Sequence, residues 1–109
     1  MLLVLKNSGS IEPFDRNKVI AGVRKACQGR PIREDDLKVL GQRVEEDLRS
    51  RGLAQVKSED VGRAILEPLR ELDVVAYLRF ASVYQHFEGL EDFQNAIDLL
   101  KEQAAEHAE

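Results

Sequence analysis

Between Leu2 and Phe14 the chain reads LLVLKNSGSIEPF, and this stretch limits the possible folds more than any other. The run LLVLK predicts a short strand. In NSGS, Gly9 is free to take a positive φ while Asn7 and Ser8 hydrogen-bond their own backbone, which predicts a turn returning the chain along IEPF. Pro13 has no amide hydrogen for a ladder, so the second strand belongs at a sheet edge and stops quickly. An antiparallel hairpin of this size cannot bury a core alone and needs helices to cover it.

The rest of the chain supplies them. Asp15 predicts an N-cap, followed by Val19, Ile20, Val23, Ala26 and Cys27 on one helical face, with Gly29 and Pro31 as the stop. A second helix, from about Glu34 to Arg51, turns Leu37, Leu40, Val44 and Leu48 inward and ends at Gly52. LAQVKS reads as a possible third strand, after which Ser58 is expected to cap a third helix carrying Val61, Ile65, Leu69 and Leu72. Pro68 is expected to kink or shorten that helix. Asp73 starts a fourth, VVAYLRFASVYQHF, apolar around so much of its circumference that it is expected to be the central, most buried element, ending at Gly89. A last helix from about Leu90 carries a stripe of Phe93, Ala96, Ile97 and Leu100 before EQAAEHAE fades into a polar tail expected to fray. The expected class is α+β: a hairpin over about 2–14, or a three-stranded sheet, capping four to five helices over about 15–106, in one domain spanning 1–109.

Composition narrows what such a fold does. The longest apolar runs, MLLVL and VVAYL, fall far short of the roughly 20 residues a membrane-crossing helix needs. One cysteine, Cys27, makes neither an internal disulfide nor a zinc site, which points to a reducing, cytoplasmic setting and an inert thiol. The net charge of −4 argues against a freestanding nucleic-acid binder. It conceals an asymmetry. Residues 1–30 hold Lys6, Arg16, Lys18, Arg24, Lys25 and Arg30 against Glu12 and Asp15, a balance of +4, whereas the remainder balances to −8. A small basic pole on an acidic body suits a compact anion better than a long polyanion.

Lys6 at the end of the first strand and Lys18 in the first turn of the first helix approach one point from two directions, and the helix N-terminus adds free N–H groups. Two ammonium groups suit a polyphosphate, and Glu12 is a hydrogen-bond acceptor of the kind adenine's exocyclic amine seeks. There is no Walker-type glycine loop and no G-x-G-x-x-G.

The pattern V-x-K-x-x-G-x-x-E-x-F-x-x-x-K-V, formed by Val4, Lys6, Gly9, Glu12, Phe14, Lys18 and Val19, resembles the opening of an ATP-cone, the regulatory nucleotide-binding domain at the front of many ribonucleotide reductases. NKVIAGVRKACQGRPI and ELDVVAYLRFASVYQHFEGLEDF extend the likeness to the ATP-cone of the NrdR family, bacterial transcriptional repressors of ribonucleotide reductase genes. The resemblance covers most of positions 3–93. It implies that Lys6 and Lys18 contact phosphates, that the Val4 backbone and Glu12 read adenine, that Ser58 adds a phosphate hydrogen bond, and that Tyr84 lies near the sugar hydroxyl separating ATP from dATP. Asn7 stands where many cones have arginine, making one phosphate contact neutral. ATP or dATP is thus the implied effector, its identity controlling self-association. DNA contact and zinc are implied only for a cysteine-rich ribbon that is absent from these residues, so the chain reads as an isolated regulatory domain or a shortened protein.

Each residue also has a plainer role. Lys6 and Lys18 suit solvated surface, Glu12 a charge that keeps a strand edge from aggregating, Ser58 a helix cap, and Tyr77, Phe80, Tyr84 and Phe87 a core stripe. His86 and His107 lack companions at metal spacing, and the acidic second helix suits solvent. No nucleophile constellation or magnesium-type acidic cluster is present, so no enzymatic turnover is expected. Two alternatives remain at this point: a helical oligomerisation module that binds no nucleotide, and the allosteric cone of a reductase subunit.

Overall fold

A computed structural model describes residues 1–107 as three short strands and five helices, in the order β1 (Leu3–Leu5), β2 (Ile11–Pro13), α1 (Arg16–Ala26), α2 (Glu34–Ser50), β3 (Gln55–Lys57), α3 (Ser58–Leu72), α4 (Val74–Tyr84) and α5 (Leu90–Glu106). The class is α+β. The sheet order is β2-β1-β3, with β1 antiparallel to β2 and parallel to β3, so the third strand joins the hairpin as part of a mixed sheet. A parallel partner requires a crossover connection, and α1 and α2 provide it. Pro13 lies on the edge strand β2, as its missing donor demands. Gly9 makes the hairpin turn at φ +91°, donating its amide to the carbonyl of Lys6 at 2.9 Å.

The core lies where the sheet meets α1, α2 and α3. Val23, Val44, Leu48 and Leu69 are completely enclosed there, and Leu2, Val4 and Val56 reach them from the sheet. The helical faces expected for α1 and α2 are the ones buried. The Asp15 carboxylate caps α1 by accepting from the Asn17 amide at 2.9 Å.

Several expectations about the later helices need correction. The N-cap of α3 is Lys57, with Ser58 the first helical residue, and the Asp60 carboxylate reaches back to accept from the Lys57 amide at 3.1 Å. The helix is not shortened by Pro68 but continues to Leu72. α4 is not the central element: it buries only Ala76 and Ala81 and leaves Val83 77% exposed. An apolar circumference shows only that a helix tolerates burial on every side; here α1 and α3 cover one side. α4 also ends at Tyr84 rather than near Gly89, because His86 takes a left-handed conformation at φ 54°. Gly89 instead precedes α5 as its N-cap. α5 has its apolar stripe, but no residue on it is buried. The tail EQAAEHAE expected to fray is helical as far as Glu106, and its last two residues, 108–109, lie outside those described.

α4 is held at its start. The Asp73 carboxylate accepts from the Ala76 amide at 2.9 Å and pairs with Arg30 at 3.0 Å, while Arg79 donates to the carbonyls of Ala26 and Gln28 at 3.2 and 2.6 Å. Thus the last turn of α1, whose carbonyls lack intrahelical partners, is satisfied by a side chain from α4. Burial pushes the Asp73 carboxyl up, but the Ala76 amide and the Arg30 guanidinium outweigh it and hold the group below its usual range.

Candidate functional site

The sheet register brings the sequence-predicted charges together. Glu12 pairs with Val4 across the hairpin, so both side chains leave the sheet on the same side, with Val56 beyond. That side faces the core: Val4 and Val56 are 8% and 3% exposed. Lys6, two residues along from Val4, shares the face and sits diagonal to Glu12, giving Nζ to Oε2 at 3.9 Å. Lys18 approaches from the first turn of α1 and donates to both oxygens of the same carboxylate, at 3.2 and 3.1 Å. Glu12 is therefore an inward-facing charge on an edge strand, partnered by two ammonium groups.

Beneath it lies a cavity of about 260 Å³ between the sheet edge, α1 and α3. Val4, Glu12, Lys18 and Ser58 line it, and Val61, Ile65 and Phe80 give it an apolar floor. A larger cavity of about 720 Å³ opens on the other side of Ser58 and is lined by Asn7, Ser58, Arg63 and Tyr84 among others. Ser58 stands at the boundary of both. Lys6 lines neither wall and hangs at the rim with half its side chain exposed.

Tyr84 owes its position to Gly62. A Cβ on Gly62 would overlap the tyrosine ring, so only glycine lets α4 place this ring flat on α3. The hydroxyl donates to the carbonyl of Glu59, and the ring stacks on Phe80 at 6.0 Å between centroids. Phe80 and Val61 are thus both core packing and cavity lining, and the sequence indicated only the first role. The available signal was Gly62, a poor helix former in mid-helix, where it marks a close approach.

The basic pole turns out to be largely spent. Arg16 and Arg24 reach carboxylates of α2, Glu45 and Glu34, each at 2.8 Å, and Arg30 is taken by Asp73. Hydrogen bonds from Arg16 and then Arg49 hold the Glu45 carboxyl below its usual range. The α2 face expected to be merely solvated therefore neutralises Arg16 and Arg24 of α1, while Lys6 and Lys18 meet on Glu12. Two ammonium groups, one carboxylate and an apolar floor match a ligand with a polyanionic tail and a flat, donor-bearing ring. Burial, followed by the charge of Asp73, raises the Cys27 thiol above its ordinary range. Among the described residues no group of three histidine, cysteine, aspartate or glutamate side chains is placed to hold a metal, and no helix is long and apolar enough to cross a membrane.

Comparison with known proteins adds a family and relatives. The model of the ATP cone domain matches residues 2–90. The chain is 78% identical over 102 residues to the transcriptional repressor NrdR of Bifidobacterium longum, covering 94% of this chain and 70% of that protein. The transcriptional repressors NrdR of Bifidobacterium animalis subsp. lactis and Thermobifida fusca are 76% and 63% identical, with 51% and 66% of their lengths covered. The chain therefore spans between about half and 70% of these relatives. They are named as repressors, not as enzymes, in keeping with the absence of a nucleophile constellation.

Proposed function

The chain belongs to the ATP cone family, within the NrdR repressors, and from that premise we propose that it is the part of a transcriptional repressor that senses adenine nucleotides. ATP or dATP lies across the two cavities that meet at Ser58, Lys6 and Lys18 take the phosphates, and the backbone of Val4 with the Glu12 carboxylate reads the base. Ser58 and Asn7 add neutral hydrogen bonds along the tail, and Tyr84 meets the sugar. The observation carrying this reading is the convergence of both ammonium groups on Glu12, which together with Lys18 lines an apolar-floored cavity.

The regulatory output follows from differential binding. A nucleotide shifts assembly only to the extent that it binds one assembly state better than another. One hydrogen bond to the sugar hydroxyl, worth roughly 1–3 kcal/mol, supplies about 5- to 150-fold discrimination between ATP and dATP. In this reading the repressed genes are those of ribonucleotide reductase, and DNA contact belongs to a separate zinc ribbon.

Calorimetric titration with ATP and dATP, paired with light scattering of the chain with and without each, tests the proposal. Saturable heat and a nucleotide-dependent change of mass are expected, both lost in the Lys6→Ala, Lys18→Ala double variant. Silence at millimolar nucleotide would leave an oligomerisation module in its place.

A further inference from the structure

The two lysines are not waiting unpaired. Both already meet one carboxylate, Glu12, at 3.9 Å from Lys6 and 3.1 Å from Lys18. The Glu12 side chain is 32% exposed against 48% and 62% for its partners, so the anion is the more desolvated member of the cluster. Register fixes it there: opposite Val4 on the inner side of the sheet, it is directed over the cavity.

A polyphosphate that captures both ammonium groups takes away Glu12's partners. It leaves a half-buried carboxylate without a donor, and it adds negative charge beside that carboxylate. Both effects oppose binding. A ligand that brings its own N–H group to the carboxylate restores what the phosphates removed, because a carboxylate only accepts hydrogen bonds.

We infer that Glu12 is an internal counter-ion that a ligand must displace, so that the site selects polyphosphates bearing a donor-carrying base and turns away those without one. This rests on the nucleotide reading above and adds a rule of selection to it. Specificity here comes from the cost of leaving a partly desolvated carboxylate unpaired, the route by which sites built around hydrogen bonds discriminate. Free tripolyphosphate, although it carries the same tail, gains less than its charge suggests.

The test is calorimetry at fixed ionic strength with ATP, purine riboside triphosphate, which has a hydrogen in place of the amine and no N–H on its six-membered ring, and tripolyphosphate. On the unmodified chain, ATP is expected to bind at least about tenfold tighter than either of the others. In Glu12→Gln the carboxylate charge is gone and the lysines are released, so tripolyphosphate is expected to bind roughly three- to tenfold tighter than it does to the parent. The gap between ATP and purine riboside triphosphate should narrow. Equal affinity of the parent for ATP and purine riboside triphosphate overturns the inference without recourse to any variant, as does an unchanged tripolyphosphate affinity in a Glu12→Gln chain whose unfolding midpoint matches the parent's. The inference and the nucleotide reading fail separately: a gain in tripolyphosphate binding by Glu12→Gln, with no ATP binding to the parent, upholds the counter-ion and removes the sensor.

Discussion

α3 and α5 look alike as sequences and behave differently as structures. They run to 15 and 17 residues, each with an apolar stripe at helical spacing. α3 buries Gly62, Ala64, Ile65 and Leu69 between the sheet, α2 and α4, whereas α5 buries nothing and is tied to the connection before it through Phe87 and Phe93, whose rings meet edge to face at 4.9 Å. Periodicity identifies the face a helix would bury. Whether anything covers that face depends on residues elsewhere, here the parallel pairing of β1 with β3, which draws α3 under the sheet.

The largest test of this contrast is truncation of matched leucines. Leu69→Ala empties a fully enclosed site and is expected to cost about 3 kcal/mol in urea unfolding, while Leu99→Ala, at a position 51% exposed, should stay within about 0.5 kcal/mol. Similar losses at both positions would mean that α5 is covered after all.

A second test bears on the joint between the two regions. Asp73→Ala removes the cap of α4 and strands Arg30, with an expected loss of about 2 kcal/mol. Because the folded Asp73 carboxyl lies below its ordinary value, its contribution is present above about pH 4 and disappears as the pH falls through the depressed value. The acid limb of a stability-against-pH curve should accordingly be shallower in Asp73→Asn than in the parent.

The smallest expected effect lies where α3 meets α4. Gly62→Ala pushes the Tyr84 ring off α3 at an expected cost of about 1–2 kcal/mol. With no tryptophan and only two tyrosines in the chain, Tyr77 and Tyr84, tyrosine fluorescence should report the displacement directly. An unchanged spectrum would show that the ring is not held by that glycine.

The sequence made some of this visible and hid the rest for physical reasons. The hairpin, the Asp15 cap and the inner faces of α1 and α2 depend on local chemistry and were readable. The placement of α4 was not, because its composition leaves open which side faces solvent, and the break after Tyr84 sits at His86, a residue that gives no warning of a left-handed turn. At the candidate site, the closeness of Lys6, Glu12 and Lys18 followed from a strand, a turn and a helix start in series. That Glu12 would engage both lysines at once required the register, and the enclosing wall of Val61, Gly62 and Phe80 required the return of α3 and α4 to the same place.

The pairing of β1 with β3 also bears on how the chain comes into being. Leu3 lies beside Gln55, so the central strand stays half-matched until about fifty further residues have been made. Until then an apolar edge is open to strands of other nascent chains. Such distant pairing slows folding, and the cavity wall containing Ser58 cannot close before it forms. That pairing therefore becomes possible only after α1 and α2 have been made, with α3, α4 and α5 still to follow.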